Sequence, residues 1–123
     1  MAAPTIRGVG SVSAVTSGNA GTPGLPTGWA ADDIHFLFQE TQHTGVPVTP
    51  TGGTGTWVLV TGCPQSAGAA PGGTSTQINV WWKKAVAGDT APSAPNVGSH
   101  QICYIVGVVG ADTTSPINIS GGD

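Results

Sequence analysis

The run GWAADDIHFLFQET, residues 28–41, carries Asp32, Asp33, His35 and Glu40. Carboxylates and imidazoles are the groups of general acid/base catalysis and of metal binding, provided that they converge in a cleft. On a strand, neighbouring residues point to opposite faces, so Asp33 and His35 share a face that Asp32 does not. Asp33 and Glu40 stand about 23 Å apart along extended chain, too far for a glycosidase pair made from that strand alone. A structural reading explains the same residues at lower cost. Asp after a turn caps exposed backbone N–H groups, and an acidic strand start keeps an edge soluble.

Other chemistry finds no footing. His43 and His100 lie in loop-like contexts without the HxH or HxxxH spacing of a zinc site. Ser66 has no evident base, and GxSxG, HExxH, GxxxxGKS and Cys-His signatures are absent. The sequence therefore predicts no catalytic, cofactor-binding or metal-binding residues and no enzyme. Trp81 and Trp82 must face opposite sides of a sheet, so one is core and the other is exposed or covered by another chain. Alternation does not say which. If it is Trp81, then Asn79 and Lys83 flank it on its own face, as a sugar-stacking platform would require. The same ring also suits a subunit contact, or packing under a loop such as 62–73.

These residues must be placed by a chain of unusual composition. It has 20 Gly and 10 Pro in 123 residues, and only 7% charged residues, against about 25% in an average domain. Three Lys+Arg and a net charge of −3 cannot neutralise a row of phosphates or form a basic face, which argues against nucleic acid and anionic membrane as partners. Met1–Arg7 lacks the apolar core of a signal peptide, and no window is long and apolar enough to span a bilayer. Synthesis in the cytoplasm is the expectation. Cys63, in a Gly-Pro turn, and Cys103, in an apolar run, could pair, but a cysteine in a β-core is ordinarily a small buried apolar residue.

Apolar blocks rich in β-branched and aromatic residues, bounded by Gly, Pro, Thr and Ser, predict strands at 6–16, 33–41, 57–60, 77–84 and 101–109, with a short edge strand around Ile117 and Ile119. In the second, Ile34, Phe36 and Phe38 form the more apolar face and are expected in the core, opposite His35, Leu37 and Gln39. Residues 57–60, apolar on both faces, read as a central strand. The links at 17–28, 43–55, 62–73 and 84–100 are long and rich in turn formers. The expected fold is all-β: a single domain over 1–123, a two-sheet antiparallel β-sandwich or jelly roll with long Gly/Pro-rich loops. Residues 1–18 and 111–123 are candidate flexible arms.

The succession LPTGWAADDIHFLFQET, GTWVLVTGCPQSAG, GGTSTQINVWWKKAVAGDTAPS and GSHQICYIVGVVG resembles a group of small β-rich virion-surface proteins and modules of tailed bacteriophages. The resemblance spans about residues 23–110 and is carried by structural punctuation rather than by catalytic motifs. It implies a capsid decoration (cement) protein, or a module of a tail or head fibre. Starting at Met1, ending in Gly-Gly-Asp and without heptads or repeats, the chain is expected to stand alone, which favours decoration. The resemblance then implies a homotrimer bound to the major capsid protein on the outer surface of the head. The alternative is a host-receptor or carbohydrate-binding module using Trp81. A small glycan hydrolase acting through Asp33 is the remote third reading.

Overall fold

The computed structural model describes residues 3–16, 18–42, 45–67 and 75–117. Strands β1 (Thr5–Val9), β2 (Ser13–Thr16), β3 (Ile34–Gln42), β4 (Val58–Leu59), β5 (Gln65–Ala67), β6 (Thr76–Lys84) and β7 (His100–Val109) follow in chain order, with no helix among the described residues. All pairings are antiparallel. The three long strands form the middle of one sheet, with β3 between β7 and β6 over its whole length. The flanks are made of short pieces, β1 and β2 both pairing with β7, and β4 and β5 both pairing with β6. Short edges of this kind offer little ladder to a foreign strand. The all-β antiparallel expectation thus holds.

One face of the sheet is covered by the long loops, which run across it as extended chain. Two isolated antiparallel bridges, Gly21↔Ala94 and Thr51↔Ser93, tie the three loop segments to one another. Pro23, Pro26, Pro50 and Ala94 are buried in this layer. Beneath it lies a small apolar cluster of Leu37, Trp57, Trp81, Ala94, Cys103 and Ile105, flanked by Leu25 and Leu59. Gly107 lets the layer sit close, since a Cβ there would come within 3.0 Å of the Pro26 ring.

Several elements depart from their sequence reading. Residues 6–16 form two strands, broken where Gly10 donates to the Ile105 carbonyl at 2.8 Å. Because β1 and β2 are laddered to β7, residues 5–9 and 13–16 belong to the sheet and are not a loose arm. Residues 57–60 sit at the sheet edge rather than its centre: only β6 pairs with β4, and Val60 N–H donates to the Val80 carbonyl at 2.8 Å. Their apolar inner side packs on loops. The 62–73 segment contributes β5, while 68–73 lies outside the described residues, as do His43, Ile119 and the rest of the 118–123 tail.

Candidate functional site

The face assignment is the main correction to the sequence reading. Along β3 the buried side is His35, Leu37, Gln39 and Thr41, while Phe36 and Phe38 stand on the opposite, open side. Register carries this across the sheet. Gln77, Asn79, Trp81 and Lys83 of β6, and Gln101, Cys103 and Ile105 of β7, all face the loops. Loop backbone, unlike a second sheet, cannot satisfy its own N–H and C=O groups through a ladder, so a loop-covered face needs polar side chains to meet them.

The amides on this face form a connected set. Gln39 Nε2 donates to the Pro95 carbonyl at 2.8 Å and to Gln101 Oε1 at 2.6 Å. Gln39 Oε1 accepts from Asn79 Nδ2 at 3.2 Å and from the Trp81 indole N–H at 3.3 Å. Gln77 donates to Asn79 Oδ1 at 3.0 Å, and Gln101 to the Ala94 carbonyl at 3.0 Å. Strands and loops are thus joined through side chains that the sequence presents as ordinary polar alternation.

Trp81, Asn79 and Lys83, the candidate recognition residues, are 3%, 0% and 2% exposed. They lie together on one face, as alternation requires, but under the loops, where no glycan ring can stack. Their work is structural. Lys83 Nζ forms a buried ion pair with Asp89 Oδ1 at 2.6 Å, donates to the Thr54 carbonyl at 3.1 Å, and sits 5.2 Å from the Trp57 ring centroid. Asp89 Oδ1 also accepts from Thr54 N–H and Thr90 N–H, both at 3.0 Å. Gly53 closes over the pair at φ +73°, a conformation open to glycine, and a Cβ there would lie 2.6 Å from Asp89 Oδ1.

The opening motif divides by role. Asp33, buried, accepts from Ala30 N–H at 2.9 Å and pairs with Arg7 at 2.6 Å, which ties the turn before β3 to β1. Asp32 takes φ +70° in that turn and meets Lys84 at the surface. His35 is fully buried, edge-on to Trp29 at 5.8 Å, with Nδ1 4.0 Å from Asp89 Oδ2. Among the described residues neither His35 nitrogen, nor Asp89 Oδ2, nor Trp57 Nε1 has a hydrogen-bond partner. Burial pushes the His35 pKa below its ordinary 6.5, with Lys83 acting in the same direction and Asp89 and Asp33 opposing.

A histidine depressed in the folded state is protonated first in the unfolded chain. Stability is therefore full above about pH 6.5 and falls as pH drops from there through the lowered native value. The urea midpoint should decrease between pH 7.5 and 5.5, and His35→Gln should flatten that decrease. An equally steep acid limb in the variant would assign it to other groups.

The open face has the opposite character. Ile6, Val9 and Ala14 from β1 and β2, Ile102, Tyr104, Val106 and Val108 from β7, Phe36 and Phe38 from β3, and Ile78, Val80 and Trp82 from β6 share it by register. Val58 of β4 continues it opposite Trp82. Phe38 and Tyr104 stack at 5.3 Å with their rings 13° apart. Charge is confined to the ends: Glu40, with His100 3.7 Å away and a hydrogen bond from Thr76, at one, and Lys84 at the other. Near β5 the face dips into a groove of about 520 Å³, lined among others by Phe36, Phe38, Val60, Ile78, Val80 and Ile117.

Cys103 is buried on the loop-covered side, its thiol pushed up to about 11 by burial, and Cys63 is in the turn before β5; both are free thiols. No group of three or more His, Cys, Asp or Glu side chains that could hold a metal ion occurs among the described residues. The outer apolar face is the feature that sequence reasoning missed. Its signal was present in the Gln, Asn and Lys alternating on the other side, which mark the face that irregular chain covers. Compared with family models, curated proteins and solved structures, the chain matches none of them.

Proposed function

We propose that this chain is a non-catalytic structural protein of a bacteriophage virion, a capsid decoration (cement) protein that binds the major capsid protein on the outer surface of the head, as a trimer, and stabilises the shell. One observation carries the structural role: a sheet face of continuous apolar side chains that the loops leave uncovered, with Ile6, Val9, Val58, Ile78 and Ile102 exposed and Phe36, Phe38, Val80, Trp82 and Tyr104 half-buried. Such a face is an assembly surface. The sequence resemblance to phage virion-surface proteins supplies the setting, and the low charge suits contacts in which an unpaired charge would be costly to desolvate.

A carbohydrate or receptor module is the weaker reading, because Trp81 is buried and Trp82, half-buried, stands among Val58, Phe36 and Val80, with Lys84 beside it already paired to Asp32. The test is to add the purified protein to expanded heads that lack it, sediment them, and image the pellet by electron microscopy with symmetry averaging. Ordered density on the capsid, with a raised thermal threshold for DNA release, is the expected result. Protein left in the supernatant with an unchanged threshold overturns the cement role.

A further inference from the structure

We infer that the open sheet face is covered by another copy of this chain, so that the functional unit is a homo-oligomer whose apolar centre is built from β3, β6 and β7 of each subunit. The inference rests on the reading of that face as an assembly surface and adds the identity of what covers it.

Size is the first argument. Five strand positions, β1-β7-β3-β6-β4, at about 4.8 Å spacing and about 30 Å of strand length give a face of roughly 700 Å². A stable protein interface removes about 800 Å² from each partner. One face laid on its own copy reaches that scale without recruiting the loops. Ile6 at 70%, Ile102 at 45% and Ile78 at 40% exposure remain open to water around the face, and a facing copy would bury them.

Chemistry is the second. The middle of the face has no charged side chain, so its partner must be apolar and uncharged over the same extent, and the face itself has that character. The groove near β5 shares that character, with Gln65 and Thr61 as its polar lining and no charged group, so it takes apolar side chains of a facing copy like the rest of the face.

The charged ends also suit a copy. With strands running oppositely, the Glu40 end of one subunit meets the Lys84 end of the next. Within the subunit both ends are already paired, Glu40 with His100 and Lys84 with Asp32, so these ends form a closed polar rim around the apolar middle that a second copy can meet in the opposite sense.

The first measurement is the mass of the full chain by sedimentation equilibrium at micromolar concentration. It is followed by the same measurement on Ile102→Glu and Ile78→Glu, two separate positions flanking β3. Both side chains are solvent-accessible but lie directly opposite Glu40 in the register, so Ile102→Lys and Ile78→Lys, which place an opposite charge there, are measured beside the Glu variants, and circular dichroism checks the fold of each. Val46→Glu, in the 45–57 segment and 84% exposed, is the control.

The wild type and V46E should have the mass of a small oligomer, and I102E or I78E should weaken association by at least about tenfold. A monomeric wild type, or an oligomer that both face variants leave intact, overturns the inference. Head sedimentation separates the two levels. A monomer whose binding to heads is abolished by I102E keeps the face as an assembly surface but gives it to the coat protein. A monomer that binds heads equally well with and without I102E overturns both.

Discussion

Lys83→Met should destabilise the folded chain by about 3–5 kcal/mol, the cost of stranding one partner of a buried ion pair. Methionine keeps the length of the stem, so the loss is electrostatic rather than a cavity. Asp89 would retain the Thr54 and Thr90 N–H donors but no cation, in a place sealed by Gly53 and Trp57. The deficit should narrow on acidification. Lys83 is one of the groups that hold the His35 pKa down while Asp89 raises it, so without Lys83 the imidazole protonates more readily, 4.0 Å from the Asp89 carboxylate. Urea titrations at pH 7.5 and 5.5 read both effects. A cost under about 1 kcal/mol at pH 7.5 would mean that the pair behaves as a solvated surface bridge.

Gln39→Leu runs against the usual sense of a core substitution. Leucine matches the side chain in size and is far more apolar, so a core held by apolar burial would gain from it. Here the amide serves four buried groups at once: the Pro95 carbonyl, Gln101 Oε1, Asn79 Nδ2 and the Trp81 indole N–H. Each buried polar atom left without a partner costs about 1–3 kcal/mol. With partial rearrangement of Gln101 and Asn79, a net loss of about 4 kcal/mol is expected, read as a lowered denaturant midpoint with an unchanged slope. A neutral or stabilising result would show that the amides relax to other partners, and that they do not clamp the loop layer.

Much of the fold was legible. Alternation, turn chemistry and β-branched blocks placed β3, β6 and β7 to within a residue or two, because strand period and Gly/Pro punctuation are local properties. The turn-capping role of Asp33 was legible for the same reason, whereas its buried pairing with Arg7 was not, and the strand it leads lies mid-sheet rather than at a soluble edge. What failed was the step from pattern to inside. Ile34, Phe36 and Phe38 outweigh His35, Leu37 and Gln39 in hydrophobicity, yet only Ile34, at the strand start, is fully buried as expected, while Phe36 and Phe38 are half-buried on the face that the loops leave uncovered. In this chain the inner face must also satisfy loop backbone, so polarity is the mark of the covered side. The same inversion moved Trp81, Asn79 and Lys83 from candidate surface to interior. Residues 57–60 misled because an edge strand capped by loops and a central strand between neighbours both read as apolar throughout.

The amide-lined interior has a thermal consequence. Exposing apolar surface on unfolding raises the heat capacity, whereas exposing polar surface lowers it. A subunit whose interior face consists largely of Gln, Asn, Thr and a Lys–Asp pair carries a small heat-capacity increment for its length, and so a stability curve that is broad and shallow with temperature. The apolar surface that would sharpen the curve lies on the outside. Covering that face with a second copy, as inferred above, would bury this surface further and raise the steepness of melting as well as its midpoint.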